Sequence, residues 1–246
     1  MASTRTAAPP RRRYRSAQRA RRASETRTRI LAAACAEFEQ TGFAATRVRT
    51  VAEAAGVSVA TVELIFGTKA QLLRAAVSFA IRGDAKATPM LARPWAQRAQ
   101  AQATVGAFLA IVARVLVEGE QRSAGLILAG FEAARHDESM SALADQLRAQ
   151  RAETAAWLVD GLIARAPLRP QITREQAIDT VWLLMDPHGF LALTGDRGWT
   201  ANQFETWFVD SVQSLLLATD TVPAPAPTTS GSARCSTSTP HRRRTS

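Results

Sequence analysis

Residues 46–69, TRVRTVAEAAGVSVATVELIFGTK, constrain this chain more than any other stretch. Val48, Val51, Ala52 and Ala55 recur at helical spacing. Thr46 stands where a side-chain hydroxyl caps such a helix by accepting a free backbone N–H. Gly56 follows, where the chain has to reverse through a left-handed conformation that strains other residues. Ser58 is a good cap for a second helix, whose inner face would be Val62, Ile65 and Phe66. Two short helices joined this way form a helix-turn-helix, whose second helix fits the major groove of DNA. A purely structural helical hairpin has the same local pattern, so the flanking sequence matters.

Those flanks read as helices too. The spacing predicts a helix over 25–40 with Ile30, Ala34 and Phe38 on its buried face and Gly42 just past its end. Thr68-Lys69-Ala70-Gln71 reads as a capping box that opens a fourth helix to about residue 82, with Leu72, Leu73, Ala76 and Phe79 turned inward. Gly83, Pro89 and Pro94 mark a boundary. Further helices are expected near 96–118, 120–135, 137–165, 173–194 and 200–219, separated by Pro167, Pro170, Gly195 and Gly198. Pro187 removes a helix hydrogen bond, so the 173–194 segment should kink or end there. No strand alternation stands out, and the fold class is all-α.

The net charge of +10 is uneven. Residues 1–23 hold eight arginines and no acidic residue; residues 221–246 hold four arginines and none. All 21 acidic residues lie between these tails, sixteen of them in 83–220. Both tails are expected to be disordered, because they carry few large apolar side chains. Arginines near DNA displace condensed counterions and bind without sequence preference. A flexible arm ahead of a helix-turn-helix can also enter the minor groove. A solvated tail with no contact at all has the same composition.

Several classes fall away. The cysteines, Cys35 and Cys235, imply no disulfide framework. The histidines, His136, His188 and His241, stand apart, so no metal-ligand spacing exists. The longest apolar run, near 105–117, contains Arg114 and is too short to span a bilayer. The arginine pair Arg21-Arg22 precedes no apolar stretch, which argues against export and for a cytoplasmic protein. No nucleophile–base pair or phosphate loop appears, so the chain reads as a non-enzyme without cofactors, and with no membrane partner.

Residues 26–73 resemble the DNA-binding domain of the TetR family of bacterial transcriptional regulators. The matching pattern is the Phe38 helix, Gly42-Phe43, Thr46, Val48, Val51-Ala52, Ala55-Gly56-Val57-Ser58, Thr61-Val62, Phe66, Thr68-Lys69 and Leu72. The resemblance implies a helix-turn-helix domain over 24–84 (motif about 47–66) and a larger helical ligand-binding and dimerisation domain over 85–220. It implies a homodimeric repressor, located at the nucleoid, that leaves a palindromic operator when an unknown small-molecule effector binds. A sequence-indifferent nucleoid-type binder driven by the arginine tails is the alternative.

By position, Thr46 and Lys69 resemble the family's phosphate contacts, with Arg47 and Arg49 as extra cations. Ser58, Val59, Ala60 and Thr61 open the recognition helix, which runs on through Glu63 and Leu64 along base edges. Glu63 departs from the family, which often has a phosphate-touching aromatic there; a carboxylate repels phosphate but can accept from cytosine N4. Trp157, Trp182, Met185, Phe131 and Phe108 are cavity candidates or plain core. The Pro187 break could present Asp186 and His188 near Trp182. Phe204, Trp207, Phe208, Val212 and Leu215 share one side of the last helix, and form either a dimer face or intrachain core.

Overall fold

The computed structural model describes residues 11–84, 88–135 and 137–218. Among the described residues ten α-helices carry the fold: α1 (Arg11–Ala45), α2 (Val48–Ala55), α3 (Val59–Phe66), α4 (Lys69–Arg82), α5 (Pro94–Gln100), α6 (Val105–Ala133), α7 (Ser141–Ile163), α8 (Arg174–Leu184), α9 (Pro187–Leu191) and α10 (Ala201–Leu216). Among the described residues there is no strand, only one isolated antiparallel bridge between Leu168 and Leu217. The all-α expectation holds.

Helix α1 corrects the expected disorder of residues 1–23, since it is helical from Arg11 onward; residues 1–10 and the 221–246 tail lie outside the described residues. No Pro or Gly occurs from residue 11 to 41, and Ala, Arg, Gln and Glu are strong helix formers. An Arg21–Glu25 pair at 2.9 Å adds a few tenths of a kcal/mol. Residues 17–25 are exposed, so propensity rather than burial carries this part. Gly42 interrupts the helix at φ 73°, ψ 173°, as its position predicts.

The rear half differs in its breaks. The expected 96–118 helix is split at 101–104, where Thr104 caps α6 by accepting the Ala107 N–H at 3.3 Å. The expected break near 119 is absent: Gly119 lies inside α6, at a cost of about 1 kcal/mol relative to Ala. At Pro187 the helix does end. Asp186 takes over as the cap of α9, accepting the His188 N–H at 2.9 Å.

Two apolar cores result. The first joins Ile30, Ala34, Phe38, Val51, Ala52, Val62, Phe66, Leu72 and Leu73 to Leu126 and Ile127 of α6 and Leu143 and Leu147 of α7. The second gathers Phe108, Leu109, Val112, Leu158, Val181, Phe204, Phe208 and Val212. Helix α6 therefore runs through both, and α4 and α1 pack along it. The four N-terminal helices do not own a separate core; they share one with the body.

Candidate nucleic-acid interface and rear cavity

The helix-turn-helix is built from its turn outward. Gly56 ends α2 at φ 64°, ψ 41°, and its N–H and that of Val57 close back on Glu53 and Ala52. Ser58 then caps α3, its Oγ accepting the Thr61 N–H at 3.2 Å and lying 2.8 Å from the Thr61 hydroxyl. Both hydroxyls are thus engaged at the start of α3. Val62 and Phe66 are buried in the core shared with α1, α2 and α4, which fixes the rotation of α3. That rotation leaves Ala60, Glu63 and Leu64 outside. Leu64 is 87% exposed, the largest value among the exposed large apolar residues of the described chain. A leucine held out in water contributes nothing to folding.

Thr46 and Lys69 sit differently from the sequence expectation. Thr46 does not cap α2: Arg47 occupies that position and makes no side-chain cap bond. The Thr46 side chain is turned inward, 3% exposed. Its hydroxyl donates to the Gly42 carbonyl at 2.7 Å and lies 2.7 Å from Thr41 Oγ1. The end of α1 leaves carbonyls without helical donors, and Thr46 serves them. Lys69 does the same from α4. Its Nζ donates to the carbonyls of Phe43 (2.8 Å), Ala44 (3.3 Å) and Thr46 (3.2 Å), and lies 4.5 Å from the Phe43 ring centre. An ammonium has three donors, so all are spent on the helix end, where a cation also suits the helix dipole.

Arg47 and Arg49 are exposed at the start of α2, and Arg49 pairs with Glu53 at 2.9 Å. Arg27 stacks over the Phe66 ring at 4.5 Å. Thr68 and Gln71 form the expected capping box. The exposed side of the helix-turn-helix therefore carries Ala60, Glu63 and Leu64 on α3, with Arg47 and Arg49 exposed at the start of α2.

The family model of the bacterial regulatory proteins, tetR family, matches residues 30–76. Residues 30–76 thus carry the N-terminal domain pattern of the tetR family. The remainder follows the fold of solved TetR-type regulators. A Rhodococcus sp. protein assigned to the TetR-family transcriptional regulators superposes with a TM-score of 0.61 at 17% identity, covering 78% of this chain and 99% of that one. A transcriptional regulator from Saccharomonospora viridis, solved with choline, gives 0.59 at 19%, covering 80% and 100%. The SmeT–triclosan complex gives 0.59 at 18%, covering 82% and 99%. No curated protein sequence matches. No single helix among the described residues is long and apolar enough to cross a membrane.

Behind the TetR-type head, a cavity of about 370 Å³ opens between α6, α7 and the α8–α9 break. It brings together Trp182, Asp186 and His188, with Phe131, Arg148 and Arg151 on the facing wall. Trp157 is not there; it packs on Trp95 and Phe108, at 5.4 and 5.7 Å between ring centres. Met185 and Phe108 are buried core. Of the last-helix residues, Phe204, Phe208 and Val212 are core side chains and cannot form a dimer face. Only Trp207, half-buried, and Leu215, 48% exposed, remain available on it; on α8, Leu183 is exposed as well.

Arg151 and Glu120 did not stand out as site residues in the sequence. Arg151 Nη1 pairs with Asp186 Oδ2 at 2.8 Å while its guanidinium carbon lies 3.8 Å from the Trp182 ring centre. Glu120, on α6, feels both Arg151 and Asp186 electrostatically. Its Oε2 is sealed from solvent without a hydrogen-bond partner.

Proposed function

We propose that this protein is a sequence-specific, ligand-responsive transcriptional regulator that binds DNA as a homodimer through α3. The reading rests above all on the exposed ridge Ala60–Glu63–Leu64, on a helix whose rotation is locked by Val62 and Phe66. A largely exposed leucine one turn from Ala60 fits thymine methyls on a groove floor. Arg47 and Arg49 flank it where phosphates would run, and position rather than specify. Lys69 and Thr46 act indirectly, by holding the α1–α2 corner.

The two-domain reading is a head over 24–84 and a body over 85–220 joined through a shared core. Dimerisation uses the outer faces of α8 and α10, with Leu183, Trp207 and Leu215. Repression relieved by a small molecule in the body is the reading we favour. It is supported by the structural relatives solved with choline and with triclosan. The signal has a short route: Arg122 of α6 donates to the Ala80 carbonyl of α4 at 3.1 Å. At the same end of α4, Arg93 holds Asp84 at 2.9 Å and the Arg82 carbonyl at 2.9 Å. A ligand that favours one placement of α6 shifts the population of head separations. Two heads must meet successive major grooves about 34–36 Å apart, so a small change in separation is enough.

Selection of bound fragments from the source genome tests this. A regulator recovers a few fragments sharing an inverted repeat, and a version lacking residues 1–23 keeps that preference. Recovery of random fragments, or loss of all affinity without the arm, would mean tail-driven binding instead.

A further inference from the structure

The cavity behind the head already holds cations on aromatic faces, and they are the chain's own. Arg151 lies over Trp182 and pairs with Asp186. Arg148, one turn away, lies 5.0 Å from the Phe131 ring centre and pairs with Asp145 at 3.1 Å. An aromatic face beside a carboxylate is the recurring recognition element for organic cations. The deeper of the two sets is also incomplete. Glu120 and Asp186 bring two carboxylates against one guanidinium, and no salt bridge joins Glu120 to Arg151. Glu120 Oε2 and Arg151 Nε are both buried without partners. Burial pushes the Glu120 carboxyl up to about 8; Arg151 lowers it in part and Asp186 raises it again. With the carboxyl protonated by burial the Asp186–Arg151 pair is balanced; with Glu120 ionised the site would hold two carboxylates against one guanidinium and could take one further cation.

We infer that this cavity takes an organic cation, an alkylammonium or guanidinium on an apolar body, seated on the Trp182 face beside Asp186 in the place Arg151 now holds, with Glu120 buried behind it rather than on the cavity wall. This assigns the ligand class of the effector site and rests on the ligand-responsive reading above. The volume of about 370 Å³ suits a small ligand. Phe131 and Ala134 offer an apolar wall for its body. On binding, the guanidinium of Arg151 swings towards the mouth and Glu120 ionises, so the incoming charge is neutralised inside. An organic acid at the same place would meet the Asp186 carboxylate; Arg135 and Arg148 on the wall are its competing seat.

Calorimetric titration of the full chain with benzyltrimethylammonium, benzyl alcohol and phenylacetate separates these cases. The cation should bind once per chain, at least tenfold tighter than the alcohol or the acid. Glu120→Gln should weaken it at least tenfold while the protein stays folded. Arg151→Ala removes the internal competitor and should tighten the cation severalfold, whereas an acid-binding site would lose its ligand. Glu120→Gln alters little shape and decides the matter by itself if Arg151→Ala does not fold. A preference for phenylacetate, unchanged affinity in Glu120→Gln, or no binding at millimolar cation overturns the assignment, even if the protein still selects an operator. Cation binding that leaves operator affinity unchanged keeps the site and refutes the ligand-responsive reading instead.

Discussion

Replacing Glu120 with glutamine should remove a pH dependence of stability that no surface glutamate would impose. Folding moves this carboxyl from an ordinary 4.5 to about 8, burial being the main cause. Below about pH 4.5 it is protonated in both the folded and unfolded chain and costs nothing. Between 4.5 and 8 the unfolded chain releases the proton and the folded one keeps it, so stability falls as pH rises, by about 1.4 kcal/mol per unit. Above about 8 the loss levels off at about 5 kcal/mol, an upper bound because water entering the site would reduce it. Glutamine does not titrate, so the difference in unfolding free energy, variant minus parent, should climb across that window. Urea denaturation at about half-unit steps from roughly pH 5 to 8.5 measures it. His188 lies 3.3 Å from Asp186, but it is present in both proteins and drops out of the difference. Arg151 and Asp186, the other charges facing Glu120, do likewise. A difference that stays flat across this range would refute the buried, unpaired carboxyl and the cation site built on it.

Three substitutions in the head separate structural from DNA-contacting roles. Lys69→Met removes three charge-assisted bonds to the end of α1 and should cost about 2 kcal/mol of stability by urea titration. Its DNA affinity should keep the salt dependence of the parent, whereas loss of a lysine that clamps a phosphate would lower that slope by about 0.9 per contact. Leu64→Ala should change stability by no more than about 0.5 kcal/mol, because the side chain is exposed. The same change should weaken operator binding about thirtyfold in a dimer, at about 1 kcal/mol per half-site, measured by fluorescence anisotropy. Glu63→Gln should abolish a preference for C·G at one position of each half-site if the carboxylate accepts from cytosine N4. Unchanged base preference would leave Glu63 as a phosphate repeller.

The head was legible because its residues obey local rules. Ile30, Ala34, Phe38, Val62 and Phe66 lie on the faces their spacing assigns, and Gly56, Ser58 and the Thr68–Gln71 box do what their chemistry suggests. Thr46 misled because a hydroxyl before a helix can serve either that helix or the one behind it. Here it takes the carbonyl of Gly42, four residues back at the end of α1. The arm misled differently. A segment without an apolar face reads as disordered, yet a run of good helix formers attached to a stable helix needs no face of its own to continue it. The rear cavity was half visible. Pro187 announced the break that exposes Asp186, but Arg151 and Glu120 read as solvated charges on long helices. The overlooked signal was their register: Glu120 follows Val112, Ala113 and Val117 on the inner stripe of α6, and Arg151 lies four residues past Leu147 and four before Ala155 on α7. A charge on a buried stripe calls for a partner, and which partner only the packing of α6 against α7 reveals.

If two copies of α3 read successive major grooves through one symmetric pair of subunits, the spacing between half-sites is fixed by the protein. Inserting about five base pairs, half a helical turn, at the centre of a selected operator puts the second half-site on the opposite face of the duplex. Affinity at physiological salt, measured by fluorescence anisotropy on the two duplexes, should then fall at least a hundredfold. Equal binding to the original and the lengthened operator would contradict paired readout by α3.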